Sequence, residues 1–218
     1  MSGAALRDEA ALRQALVEAG RALHARGLAI GTAGNLSVRL DDGYLVTPTN
    51  AGLGGLDPAR LARLDAEFRH VSGDRPTKEV AMHRAFYETR PGTEAVVHLH
   101  STHAAALSYL DDLPAIDPIP LFSPYFVMRV GHLPVLPYFR PGSEAIGAAI
   151  RALGGRYRSV LLRNHGPVNA GESLAAAVAA AEELEETARI YLLLGERRLR
   201  HLTDAEIDEL RTAFDLDW

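Results

Sequence analysis

His98 and His100 stand two residues apart in the apolar run Ala95-Val96-Val97-His98-Leu99-His100. On a strand, side chains at i and i+2 leave the same face, so both imidazoles can reach one ion. A third ligand must come from elsewhere in the chain. His165 is the candidate, because Asn164-His165-Gly166-Pro167 ends a second apolar run, Val160-Leu161-Leu162. Its glycine and proline predict a sharp turn that aims the ring back at the pair. Three imidazoles leave a coordination position open, the arrangement of a catalytic site. Neutral ligands also leave most of the ion's charge uncompensated, which makes it a strong Lewis acid for a ketone oxygen. The bland readings stay open: a His-x-His pair is equally a structural feature of a strand, and Asn-His-Gly is equally a turn. His83 and His103 fall on helical stretches and read as helix residues, not ligands.

Glu79 is the natural acid/base candidate, in the first turn of a helix that starts near Thr77, about twenty residues before the histidine pair. The helix dipole alone also favours a glutamate there. Three polar segments offer anion-binding groups. Gly31-Thr32-Ala33-Gly34-Asn35-Leu36-Ser37 supplies backbone amides and small side chains, which can wrap an anion in a nest. Thr47-Pro48-Thr49-Asn50-Ala51-Gly52 supplies hydroxyls and an amide. Arg75-Pro76-Thr77-Lys78-Glu79 supplies a hydroxyl, a cation and a helix N-terminus, which suits phosphate. No segment matches a nucleotide-binding pattern, so the set points to a small phosphorylated substrate.

The elements that must position these groups follow from periodicity. A first helix is predicted over Leu6 to Arg26, with Leu12, Leu16, Ala19 and Leu23 at helical spacing and Gly27 as its stop. Leu36–Leu40 and Tyr44–Thr47 read as strands joined by the hairpin signal Asp41-Asp42-Gly43. Ala95–His100 and Ser159–Arg163 read as further strands. Helices are predicted from about Thr77, over Ser101–Leu110, Ser143–Leu153 and Ser173–Leu194, the last rich in alanine and glutamate. Thr203-Asp204-Ala205-Glu206 fits a capping box for a final short helix. Strands and helices mix without strict alternation, which predicts a layered α/β sheet with helices on both faces, not a barrel.

The 218 residues suit one domain, 1–218. With 23 Lys and Arg against 28 Asp and Glu, the net charge is −5, and no basic run appears, so nucleic acid is not an expected partner. No apolar stretch approaches the roughly 20 residues that span a bilayer, and the first residues lack the layout of a signal peptide. The absence of cysteine excludes thiolate ligands and suits the cytoplasm. Any metal must therefore use His, Asp or Glu.

Taken in order, Gly31-Thr32-Ala33-Gly34-Asn35-Leu36-Ser37, Val46-Thr47-Pro48-Thr49, Lys78-Glu79, Ala95-Val96-Val97-His98-Leu99-His100-Ser101 and Leu161-Leu162-Arg163-Asn164-His165-Gly166 make the chain resemble the class II aldolase/adducin family over nearly its whole length. Within that family, three further stretches resemble the 3-oxo-tetronate 4-phosphate decarboxylases. They are Ser72-Gly73-Asp74-Arg75-Pro76-Thr77-Lys78-Glu79-Val80, Pro124-Tyr125-Phe126-Val127-Met128-Arg129 and Pro137-Tyr138-Phe139-Arg140-Pro141-Gly142.

The family resemblance implies a three-layer α/β/α fold around a mostly antiparallel sheet and a divalent metal, usually zinc, with manganese or cobalt as substitutes. It also implies a homotetramer with active sites between subunits. By position, it implies His98, His100 and His165 as metal ligands, and Glu79 as the catalytic carboxylate, with a resting-state ligand role also open. Asn35, Thr49, Thr77 and Lys78 fall where the aldolases bind phosphate, and Gly34 and Asn50 join them as members of the same loops. Tyr138 falls where the aldolases carry a tyrosine from a neighbouring subunit. Two departures stand out: Thr77-Lys78 replaces the aldolases' Ser-Ser, and Asn50 replaces their glycine.

The activity implied is decarboxylation of a 3-oxo-tetronate 4-phosphate to dihydroxyacetone phosphate. A fuculose-phosphate aldolase-like or pentulose-phosphate 4-epimerase activity is the first alternative. A non-catalytic adducin-like interaction module is the second.

Overall fold

A computed structural model describes residues 8–216. Eight strands form one sheet: β1 Asn35–Arg39, β2 Gly43–Val46, β3 Ala62–Asp65, β4 His70–Ser72, β5 Ala95–His98, β6 Val135–Leu136, β7 Ser159–Leu162 and β8 Gly166–Gly171. Their order is β4-β3-β2-β1-β5-β8-β7-β6. Every pairing is antiparallel except that of β6 with β7. Seven helices accompany it: α1 Glu9–Ala25, α2 Val80–Thr89, α3 Thr102–Ser108, α4 Pro124–Arg129, α5 Glu144–Ala152, α6 Leu174–Leu194 and α7 Asp204–Ala213.

Strand alternation sorts the core into two layers. Leu36 and Val38 of β1 and Ala95 and Val97 of β5 pack with Leu16, Val17 and Leu23 of α1 and Ala177 and Ala181 of α6. Val96 of β5, Val160 and Leu162 of β7, and Val168 and Ala170 of β8 pack on the opposite side. There they meet Met82, Ala85, Phe86 and Tyr87 of α2 and Ile146 and Ile150 of α5. The result is the expected α/β/α sandwich. A third cluster joins α3, α4 and α6 over Leu161. By the same alternation His98 shares the α2/α5 side with Val96, and so do Asn35 and Ser37 of β1.

Local capping sets the helix starts. Asp8 accepts from the Ala10 amide, so α1 begins at Glu9, and the Leu6 and Arg7 of the expected helix lie outside the described residues. Ser143 caps α5 and Ser173 caps α6. Thr203 and Glu206 form the predicted capping box of α7.

β1 and β2 each begin and end one residue before the expected Leu36–Leu40 and Tyr44–Thr47, and other boundaries are corrected as well. The strand that starts at Ala95 ends at His98, so His100 lies beyond it. The strand that starts at Ser159 ends at Leu162. The helix expected from Thr77 starts at Val80, because the segment before it pairs with the neighbouring loop: Thr77 N–H donates to the Thr47 carbonyl and Pro48 bridges Pro76. The helix expected over Ser101–Leu110 spans Thr102–Ser108. Five elements carry no sequence expectation: β3, β4, β6, β8 and α4. Among the described residues no helix is long and apolar enough to cross a membrane.

Candidate active site

The site forms where β5, the β7–β8 turn and the start of α2 converge. β5 delivers His98, which is fully buried. Its Nδ1 lies 2.8 Å from the Pro167 carbonyl. A carbonyl only accepts, so Nδ1 carries the proton and Nε2 is left bare for a ligand. His100 follows the strand, and its Nε2 lies 3.0 Å from that of His98. His100 lies beyond the end of β5, and its ring still meets that of His98, as their spacing predicts. His165 occupies the tight turn between β7 and β8, where Leu162 pairs with Gly166 and Asn164 takes a positive φ of 53°. Its ring thus turns back as the Asn-His-Gly-Pro sequence predicts.

Glu79 occupies the N-cap position of α2 but makes no side-chain capping bond. Its carboxylate instead points into the cluster: Oε2 lies 3.6 Å from His98 Nε2 and Oε1 lies 3.4 Å from His165 Nε2. One ligand atom from each of Glu79, His98, His100 and His165 lies within 4.8 Å of all the others. Donors about 2.1 Å from one tetrahedral ion lie roughly 3.4 Å apart, which these separations approach. Glu79 Oε1 and His165 Nε2 are buried without a hydrogen-bond partner. An orphaned buried polar atom costs about 1–3 kcal/mol, and a divalent cation would satisfy both. The residues present therefore fit a metal ion.

The electrostatics agree. Burial, and then the neighbouring His165 and His100, push the His98 pKa well below its ordinary value. Burial, His165 and Lys78 push His100 down to about 4. Burial also lowers His165, opposed by the Glu79 carboxylate and reinforced by Lys78. All three rings are held neutral, as metal ligation requires.

Of the expected phosphate residues, Gly34 and Thr77 lie against this centre, and Thr49 and Asn50 lie on the loop tied to the Thr77 segment. Gly34 crosses the end of β5 with a φ of +87°, and a Cβ there would stand 3.0 Å from the His98 carbonyl. Thr49 N–H donates to the Arg75 carbonyl, which ties the second loop to the third. Asn50 has a φ of 57°. Glycine enters that region freely and asparagine tolerates it, so the departure from glycine keeps the backbone. Thr77 is buried and its hydroxyl accepts from the Glu79 amide at 3.3 Å. Lys78 is exposed beside the cluster. Asn35, also expected at a phosphate, bonds Glu79 and His83 through its side chain.

Tyr138 is 60% exposed and makes no hydrogen bond to Glu79. Its loop crosses the third segment at Gly142, where a Cβ would lie 3.1 Å from the Lys78 carbonyl.

Sequence reasoning missed the groups behind Glu79. His83 was read as a helix residue, which it is, but it also bonds Asn35 and Ser37. It missed Glu185 of α6 as well, whose carboxylate accepts from the His103 and Ala104 amides and contacts the His103 ring, capping α3 from across the layer. The first group had a signal: Glu79, His83 and Tyr87 recur every four residues. The second had none in the local sequence.

A mixed sheet between helical layers, with three imidazoles and a carboxylate gathered beside its central strands, defines an α/β enzyme with a candidate centre for a divalent metal. A profile of the Class II Aldolase and Adducin N-terminal domain matches residues 14–192, and the chain belongs to that family. It is 48% identical to the 3-oxo-tetronate 4-phosphate decarboxylase of Pectobacterium atrosepticum over 95% of each chain. It is 35% identical to the L-fuculose phosphate aldolase of Haemophilus influenzae, covering 86% of this chain and 85% of that one. The crystal structure of YgbL from Klebsiella pneumoniae superposes with a TM-score of 0.91 at 48% identity, over 94% of this chain and 100% of the other.

Proposed function

We propose that the protein, as one domain over 1–218, is a zinc-dependent carboxy-lyase that converts a 3-oxo-tetronate 4-phosphate to dihydroxyacetone phosphate and carbon dioxide. The observation that carries this reading is the buried Glu79 carboxylate, its Oε1 without a partner, gathered with three neutral imidazoles. The 48% identity to a decarboxylase of that name selects the substrate class.

The substrate is a β-keto acid. As its C1–C2 bond breaks, carbon dioxide leaves, and the electron pair stays at C2 and delocalises onto the C3 oxygen as an enediolate. A zinc ion held by His98, His100 and His165 would supply Lewis-acid stabilisation of that negative charge. Glu79, or Tyr138 of a neighbouring subunit, delivers the proton to C2 that completes dihydroxyacetone phosphate. Lys78 holds an anionic end of the substrate, and the amides and hydroxyls of Gly34, Asn35, Thr49, Asn50 and Thr77 line its phosphate. For Asn35 the group is the second amide hydrogen, since its backbone pairs with His98 across β1 and β5 and the rest of its side chain serves Glu79 and His83. The working form is a cytoplasmic homotetramer, which would bring Tyr138 to its neighbour's site.

The 35% identity to a fuculose phosphate aldolase supports a second reading, aldol cleavage. It forms the same kind of enediolate by breaking a different bond, and a 4-epimerase would do so reversibly. The experiment is to present four-carbon 3-oxo acid phosphates to the zinc-loaded protein and measure carbon dioxide and triose phosphate. Equal amounts of both support the proposal. An aldehyde product from sugar phosphates, with no carbon dioxide from the acids, would replace it with the aldolase. A changed stereocentre without cleavage would point to the epimerase, and failure to bind metal to an interaction module.

A further inference from the structure

Asn35 and Ser37 stand two apart on β1 and share a face, while Glu79, His83 and Tyr87 stand four apart along α2 and share a stripe. The two rows meet, and their side chains alternate in one buried line. Asn35 Nδ2 donates to Glu79 Oε2 at 2.9 Å. Asn35 Oδ1 lies 2.5 Å from His83 Nε2, and His83 Nδ1 lies 2.7 Å from Ser37 Oγ. Ser37 Oγ lies 2.8 Å from the Tyr87 hydroxyl. None of Asn35, Ser37, His83 and Tyr87 is more than 5% exposed.

The direction of each bond follows from the end of the line. Asn35 donates its NH₂ to Glu79 Oε2, which leaves its carbonyl turned to His83. That carbonyl only accepts, so His83 Nε2 carries a proton. Burial pushes the His83 pKa from 6.5 down to about 3, so the ring is neutral and Nδ1 is bare. Nδ1 then accepts from Ser37, whose oxygen accepts from Tyr87. All the hydrogens point toward Glu79, and reversing one alone would set two donors or two acceptors against each other. The line ends on Oε2 and leaves Oε1, the oxygen that faces His165, outside it.

We propose that His83 is a positioning residue: as its Nε2–H tautomer it locks the Asn35 amide, which pins Glu79 Oε2 and leaves Oε1 as the working oxygen. The inference rests on the acid/base reading of Glu79 given above. A histidine that merely fills buried space would need no particular tautomer, and its loss would not single out turnover.

The test compares His83→Leu with His83→Gln, both loaded with zinc. Glutamine keeps an N–H donor for Asn35, and leucine keeps the bulk without it. Misplacing a reacting group by about 1 Å costs on the order of 10²-fold in rate. His83→Leu is therefore expected to lose about that factor in kcat while KM and zinc stoichiometry stay near the parent's, and His83→Gln to recover most of it. Parental kcat in His83→Leu, or equal losses in both variants at a parental melting temperature, would overturn the proposal. If His83→Leu does not fold, the unmodified protein decides. Nitrogen-15 NMR of histidine-labelled protein, assigned by contacts to Ser37 and Tyr87, should show His83 protonated at Nε2 and bare at Nδ1. A proton on Nδ1 would overturn the proposal. The tautomer needs no substrate, so a parent that releases no carbon dioxide sinks the proposed reaction alone and leaves the NMR result to decide the relay.

Discussion

His98 donates its Nδ1–H to the carbonyl of Pro167 at 2.8 Å, and that bond fixes which nitrogen of the ring faces the cluster. Pro167 lies in β8, the neighbour of β5 in the sheet, so backbone pairing orients a ligand. Bonds of this kind raise ligand basicity and hold the ring in place.

With His98 so oriented, His100→Ala is expected to remove most of the bound metal, measured as zinc per chain after dialysis. In the parent, added zinc should raise the melting temperature. A site filled at a free concentration of about 100 times Kd stabilises the fold by roughly 2.7 kcal/mol. Unchanged stoichiometry and affinity in His100→Ala would show that the site is elsewhere.

Glu79→Gln keeps the shape of the side chain and removes its basicity. A positioned acid/base contributes roughly 10²–10⁴-fold in rate, so turnover should fall by that order at full zinc occupancy and an unchanged melting temperature. Loss of zinc would instead make Glu79 a ligand. Deuterium exchange from solvent into C3 of preformed dihydroxyacetone phosphate should fall in parallel. Exchange at the parental rate would move proton delivery to Tyr138.

Lys78→Met tests the anionic end of the substrate. The lysine is exposed, yet its charge lowers the pKa values of both His100 and His165, which places it beside the centre. A charge that holds substrate and transition state equally should raise KM and spare kcat. Unchanged kinetics would identify a solvated lysine.

Glu185→Ala removes the acceptor for two amides at the start of α3, where Ser101 supplies no side-chain cap. Hydrogen bonds to a charged group contribute about 1.5–3 kcal/mol each, and α3 follows directly on His100. The expected outcome in urea unfolding is a loss of about 2 kcal/mol or more. A loss below about 0.5 kcal/mol, the range of neutral surface substitutions, would rule the cap out.

Stability against acid carries a sign set by His83. Its pKa is depressed on folding from 6.5 to about 3. Between those values the unfolded chain binds a proton that the folded chain does not, so stability falls as the pH drops through that window and this group contributes no slope above it. In metal-free protein, His83→Gln should flatten the dependence of unfolding free energy on pH by up to about 1.4 kcal/mol per unit between roughly pH 6 and 4. An unchanged slope would show that His83 is not buried in its neutral form.

The sequence by itself determined those features whose physics is local. Helical spacing marked α1, a run of good helix formers marked α6, and the capping box marked α7, because a stripe, a propensity and a cap all depend on residues close along the chain. The ordered motifs marked His98, His100, His165 and Glu79 as one site, and Asn-His-Gly-Pro foretold the turn that aims His165. Tertiary structure decided the rest. β8, Gly-Pro-Val-Asn-Ala-Gly, has the glycine and proline of a loop, and it is a central strand because β5 and β7 pair with it on both sides. β6 is two residues long and exists only beside β7. His100 reaches the cluster from beyond the end of its strand. The partners of Asn35 lie 44 and 48 residues away, at the N-cap of α2 and within it. Asn35 and Ser37 share one face of β1, and Glu79 and His83 share one stripe at the start of α2. Only the packing of α2 against β1 makes those faces meet, because hydrogen-bond partners are chosen by distance in space and not along the chain.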